Sequence, residues 1–331
     1  MKSITSIQGR LRNLAQADGK NYQLILIRYF QERLIYRLSV SDYRDHFCLK
    51  GGALIYALAQ QKSRPTLDID LLGMKLNPSQ IHIRNIFKEI CQNSEEHDGV
   101  TFDIQNLTTS EIAKEDKYLG VRVKVEAFLG NMRHHLQIDV GFGDIVIPEP
   151  ILMVYPTLLP MNEPHIWAYS IESVIAEKFE AMIDLAENNS RMKDFYDVCY
   201  LIQSERLQKD ILLEAIIQTF RRRQTKFKEQ HPLFSESFAN DSKRLLQWQA
   251  FLKKTKLEVG LNFQEVMRII RENLRAFYEE IDRYIPQKKG AYTEGVQCAA
   301  QSKHSLSKSY TTGFKNTPSV QTPFANRKRH L

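Results

Sequence analysis

The chain has 331 residues, 43% of them hydrophobic and 26% charged, the balance of a soluble globular protein with material for one large domain or two ordinary ones. No run approaches the roughly 18–20 apolar residues of a membrane span, and the opening MKSITSIQGRLRN lacks the apolar stretch of a secretory signal. These features argue against membrane and secreted classes and make the cytoplasm the expected location. The net charge of +7 is carried by residues 287–331, which hold eight Lys or Arg against one acid, Glu294; the remainder is neutral, so the basic character belongs to a tail.

Taken in chain order, residues 21–39 predict an amphipathic helix, with Leu24, Ile27, Leu34, Ile35 and Leu38 on one side and Arg28, Glu32 and Arg33 elsewhere. The run Phe47-Cys48-Leu49, the pair Gly51-Gly52 and the Ala-rich stretch 53–59 read as strand, glycine turn and helix. Arg64-Pro65 ends that helix, and Thr66 to Leu71 alternates as a strand. A helix is expected at 80–91 and strands at 99–107, 120–129 and 135–140. From Ser170, a plausible N-cap, the pattern turns helical. Helices are expected to about Glu187, then to about Gln203, and at 208–223, 240–255 and 262–284. After Pro286 the chain is rich in Ser, Thr, Lys and Gln without periodicity, the composition of a disordered segment.

Metal sites built on sulfur or imidazole find no support. Cys48, Cys91, Cys199 and Cys298 are widely scattered without a C-x-x-C pair, and the histidines form neither H-E-x-x-H nor H-x₃-H. Four cysteines so placed read as reduced packing residues.

Carboxylates are the stronger candidates. Asp68 and Asp70 lie two apart on one strand and share a face with Thr66. Either that face is solvated, or two covered carboxylates repel and call for a hard cation such as Mg²⁺. Asp139, alternating with Gln137 between apolar residues, either completes a three-carboxylate site or ends an exposed strand. Gly51-Gly52 permits close backbone approach, and the helix after it offers free N–H groups to a phosphate. Two inward polar positions stand out on the later helices. Lys178 falls in the middle of the stripe formed by Val174, Ile175, Met182 and Leu185. Asp194 falls between apolar neighbours one helix on, whereas Lys193 and Asp197 fall nearer the polar side. Lys178 and Asp194 either form a buried ion pair or meet a phosphate together.

Lys50-Gly51-Gly52-Ala53 followed by Arg64-Pro65-Thr66-Leu67-Asp68-Ile69-Asp70 resembles the opening motif of the AbiEii/AbiGii nucleotidyltransferase toxins. These belong to the DNA polymerase β-like superfamily and act in abortive-infection, type IV toxin–antitoxin systems of phage defence. Leu136 to Val140 is similar to the strand of the third carboxylate. Ala176-Glu177-Lys178-Phe179 and Arg191 to Asp197 resemble two later motifs of the family. The resemblance spans about residues 45–205. One position departs from it: Ala53 stands where the superfamily usually has a phosphate-binding serine.

The resemblance implies an α+β fold, a polymerase β-like mixed sheet flanked by helices and followed by an α-helical domain. The implied division is 1–165 for the nucleotidyltransferase fold with its N-terminal helical segment, 166–285 for the helical domain, and 286–331 for the disordered basic tail. It further implies transfer of NMP from an NTP to an acceptor hydroxyl, with tRNA the leading acceptor. Asp68, Asp70 and Asp139 would bind two Mg²⁺, or Mn²⁺, and Asp139 would also help activate the nucleophile. Lys50, Gly51, Gly52, Arg64, Thr66 and Lys178 would hold the nucleotide, and Asp194 would hold Lys178. A cognate antitoxin is an implied partner; a membrane is not. Transfer onto a protein hydroxyl and a non-catalytic nucleotide- or antitoxin-binding module are the alternatives.

Overall fold

The computed structural model describes residues 3–59, 64–93, 98–114, 118–204, 207–257 and 260–284. The 286–331 tail therefore lies outside the described residues, as does Cys298; Cys48, Cys91 and Cys199 are buried free thiols.

Two helices open the chain, α1 (Ile4–Ala17) and α2 (Tyr22–Ser39). The strands are β1 (Phe47–Lys50), β2 (Asp68–Gly73), β3 (Val100–Phe102), β4 (Thr108–Lys114), β5 (Tyr118–Leu129), β6 (Met132–Phe142), β7 (Ile151–Val154) and β8 (His165–Ala168). Among the described residues they form one mixed sheet in the order β3-β5-β6-β2-β1-β8-β7, with β4 also pairing the long β5. Helix α3 (Gly51–Ala59) follows β1, and α4 (Gln80–Gln92) follows β2. The later helices are α5 (Ile171–Leu185), α6 (Met192–Ser204), α7 (Lys209–Arg223), α8 (Glu236–Ala239), α9 (Ser242–Thr255) and α10 (Phe263–Ile281). The α+β class expected from the sequence is the one observed. No described helix is long and apolar enough to cross a membrane.

Strand alternation sets the two faces of the sheet. Ile69, Leu71, Val121, Val123, Ile138 and Val140 are all buried. The residues between them, Asp68, Asp70, Arg122, Gln137 and Asp139, are only half-buried on the other face. Local caps fix α5, which lines a cavity on that polar face, and α10, which packs on α6. The Ser170 hydroxyl accepts from the Ser173 amide at 3.1 Å, and Asn262 with Glu265 forms a capping box on α10.

The structure differs from the sequence expectation at several elements. Helix α2 is not amphipathic: every residue from Ile25 to Ser39 is buried. It packs against β6, β8, α1 and α4 at once, so no face is left for solvent. Its charges are satisfied internally. Arg33 pairs with Glu32 at 2.7 Å, and Arg37 donates to the Val100 carbonyl at 2.6 Å. The strand expected over 99–107 stops at Phe102, because the Asp103 carboxylate accepts the amides of Gln105 and Asn106, each at 3.1 Å, and turns the chain. Helix α1 and strands β4, β7 and β8 were not anticipated.

Candidate active site

Strand register brings the sheet residues of the site together. Lys50 on β1 is the partner of Asp70 on β2. Asp70 is the partner of Asp139 on β6, with Asp68 opposite Gln137. Asp139 is in turn opposite Arg122 on β5. Lys50, Asp70, Asp139 and Arg122 thus form one row across four strands, with Asp68 two residues along β2.

The turn from β1 into α3 is shaped around this row. Gly51 has φ of +62°, a conformation that suits glycine. The helix then begins immediately, so its free N-terminal amides lie beside the carboxylates. Thr66 packs against Gly52, its hydroxyl filling the space a Cβ there would take, and donates to the Asp68 carbonyl at 3.3 Å. Ala53 is fully buried.

Two ionic networks on the helices face the row. In the first, Lys178 on α5 donates to Asp194 at 2.7 Å and pairs with Asp197 at 2.8 Å. Arg64 forks onto Asp197 through Nε at 2.9 Å and Nη2 at 2.8 Å, and Arg191 pairs with Asp194 at 2.8 Å. Both aspartates are fully buried. Asp197, expected near the polar side of its helix, is an inward residue, because the Arg64 guanidinium from the segment before β2 covers it. Burial would push the Asp194 carboxyl upward, but the charges of Lys178 and Arg191 hold it below the usual range. Burial likewise works against the Lys178 ammonium, and Asp194 and Asp197 outweigh it, raising its pKa.

In the second network Lys50 donates to Asp144 at 2.6 Å and to both oxygens of Glu177 at 3.2 Å. Arg223 on α7 pairs with Glu180 at 2.7 Å and lies 3.5 Å from both Asp144 and Glu177. Tyr169 donates to Glu177 at 3.1 Å. Here too burial pushes Asp144 up, but Lys50 and Arg223 carry it down. Burial together with the Asp144 charge raises Glu177.

These groups surround a cavity of about 550 Å³, within the range of small-molecule sites. All the residues singled out in the sequence line it except Thr66, which stands behind Gly52. Lys50, Arg64 and Lys178 are each engaged by carboxylates at the cavity wall. Arg122 and Arg223 also line it and were not singled out; Glu177 and Arg191 line it too and stood in the sequence only as parts of the two later motifs. Arg122 had a readable signal only as a charge alternating with valines; its partnership with Asp139 depends on strand register.

Among the described residues no three His, Cys, Asp or Glu side chains already stand close enough to cage a metal ion. The donor chemistry nonetheless fits a hard divalent cation. Asp68 and Asp70 offer carboxylate oxygens on one strand face, and among the described residues neither carries a hydrogen bond or ion pair through its side chain. Burial, then the charges of Asp70 and Asp139, raise the Asp68 carboxyl, a repulsion that a cation would relieve.

The fold is α+β, and the comparison with known families makes the chain a nucleotidyltransferase. The chain belongs to the family described as nucleotidyl transferase AbiEii toxin of a type IV toxin–antitoxin system, whose model matches residues 33–277. Among solved structures it is similar to JHP933 from Helicobacter pylori, at 13% identity and a TM-score of 0.46, over 80% of this chain and 95% of that one. It is also similar to an antigenic nucleotidyltransferase-like protein from Paracoccidioides brasiliensis, at 11% identity and a TM-score of 0.35, over 75% of this chain and 93% of that one. No curated protein matches the chain.

Proposed function

We propose that this nucleotidyltransferase transfers NMP from an NTP to an acceptor hydroxyl of RNA, with tRNA the leading candidate, as the toxin of a phage-defence pair with a cognate antitoxin. The observation that carries the reading is the charge on the two sides of one cavity. Seven Lys and Arg side chains line it against five Asp and Glu; Asp68, Asp70 and Asp139 stand on the sheet, and Lys178, Arg191, Lys193 and Arg223 come from the helical half of the chain. An anionic ligand suits the cationic wall, and a phosphate-bound hard cation suits the carboxylates.

Asp68 and Asp70 would hold Mg²⁺ or Mn²⁺, with Asp139 completing the set. Bound there, the ions would supply Lewis-acid stabilisation of the attacking and leaving oxygens. The chain's own residues do the rest. The amides at the start of α3 receive phosphate oxygens. Lys178, held by Asp194 and Asp197, presents a fixed positive charge to the triphosphate. The acceptor oxygen bonds to the α-phosphorus, the bond from that phosphorus to the bridging oxygen breaks, and pyrophosphate departs. The hydroxyl proton would pass to a carboxylate, for which Asp139 is the candidate.

Ala53 offers no hydroxyl to the phosphates, and this observation keeps a second reading open, a nucleotide- or antitoxin-binding module without catalysis. Incubation with labelled NTPs, total RNA and cell lysate separates the readings. Label on RNA is expected; label on protein would move the acceptor to a protein hydroxyl, and no label would favour the binding module.

A further inference from the structure

Arg122 engages the third carboxylate of the site. Its guanidinium donates from Nε to Oδ1 and from Nη2 to Oδ2 of Asp139, both at 2.8 Å. This fork uses both oxygens of the third carboxylate. Asp68 and Asp70, in the same cavity, have no Lys or Arg within ion-pair distance among the described residues. The difference follows from what surrounds each strand. Lys50 is the register partner of Asp70, but Asp144 and Glu177 draw its ammonium away. Arg122 is the register partner of Asp139 and stays on it.

The fork is not a core element. The Arg122 side chain is 35% exposed and that of Asp139 20%. A pair this wet is weak enough to be exchanged for another ionic partner. Both residues line the same cavity, so on the proposed reading the partners they would exchange for arrive at one place: a cation for Asp139, and phosphate oxygens for Arg122.

We propose that Arg122 occupies the cation position of Asp139 in the ligand-free enzyme, and moves to the phosphates of the incoming NTP as Asp139 is freed for a cation. The proposal rests on the metal-dependent reading given above. Arg122 then couples the two ligands. Without nucleotide the guanidinium competes with the cation for Asp139; with a triphosphate present it has another anion to pair with. The coupling is reciprocal, so cation and nucleotide each tighten the binding of the other.

The test is Mn²⁺ titration of the full chain, without nucleotide and then with an NTP analogue blocked at the α,β-bridge. Arg122→Gln removes the competitor, and Mn²⁺ binding without nucleotide is expected to tighten about three- to tenfold. The same variant is expected to bind the analogue about tenfold more weakly, since a charge-assisted phosphate contact is gone. Arg122→Lys keeps the charge without the fork and should fall between the two; it also serves if the glutamine variant melts well below wild type. Unchanged Mn²⁺ affinity in Arg122→Gln, with Asp70→Asn still abolishing binding, would overturn the role of Arg122 alone. Mn²⁺ binding that survives Asp70→Asn would overturn the metal reading, and this proposal with it.

Discussion

Gly51 and Asp70 occupy complementary space: the carboxylate of Asp70 fills the volume that a Cβ on Gly51 would need. The glycine therefore does two things at once. It holds a positive φ of +62°, and it lets the second carboxylate of the site stand against the backbone that starts α3.

Gly51→Ala should then damage both stability and chemistry. The left-handed conformation alone costs an L-residue about 1–2 kcal/mol, and the displaced carboxylate adds to it. A loss of about 2 kcal/mol or more is expected in chemical denaturation, together with weakened Mn²⁺ binding. A variant as stable as wild type that binds Mn²⁺ equally well would show that the contact is slack.

Lys178 lies deep in its network, but its removal does not strand a charge. Asp194 keeps Arg191 and Asp197 keeps the Arg64 fork. Lys178→Met is therefore expected to cost about 1–3 kcal/mol, below the 3–5 kcal/mol of orphaning a buried ion. Transfer activity is expected to fall by about 10²-fold, the scale of losing one preorganised electrostatic contact. Denaturation and nucleotide transfer read the two effects separately. A badly destabilised variant with near wild-type transfer would make Lys178 a structural residue.

Asp194 contributes to the pH dependence of stability. Its carboxyl titrates below its ordinary value in the folded protein, and near about 3.9 when unfolded. The folded state thus holds its proton less tightly than the unfolded state. The stability it contributes is full above the unfolded pKa and is lost as pH falls through the folded one. Asp194→Asn should be less stable than wild type at pH 7 by about 1.5–3 kcal/mol, since Lys178 keeps Asp197, and the gap should narrow below about pH 4. A gap independent of pH, measured by denaturation between pH 3 and 7, would remove the ionised carboxylate from the account.

The amino-acid sequence made the strand-borne carboxylates and the inward Lys178 and Asp194 legible, because both follow from single-element periodicity. Asp68 and Asp70 share a strand face whichever strand lies beside them. Arg122 was not legible in the same way: only the antiparallel pairing of β5 with β6 sets it against Asp139. Helix α2 misled for a related reason. Its charges repeat like those of a surface helix, yet Arg33 and Arg37 find partners as far away as Asn162 and Val100. Asp197 was misplaced because the guanidinium that covers it comes from Arg64, more than a hundred residues earlier.

The basic segment 287–331 bears on the acceptor. It carries the entire net charge of the chain, so its removal leaves a neutral protein. If the acceptor is RNA, truncation after Pro286 should weaken RNA binding and flatten its dependence on salt, since fewer counterions are released. Equal affinity and equal salt slope for full-length and truncated chains would place RNA contacts elsewhere.

The central claim is transfer of a nucleoside monophosphate, and the position of the label in the NTP tests it most directly. Purified protein is incubated with total RNA and with NTPs labelled at either the α- or the γ-phosphate. Label from the α-position should appear on RNA, label from the γ-position should leave as pyrophosphate, and Asp70→Asn should abolish both. Transfer of γ-label to the acceptor, or α-labelling undiminished in Asp70→Asn, would contradict the account.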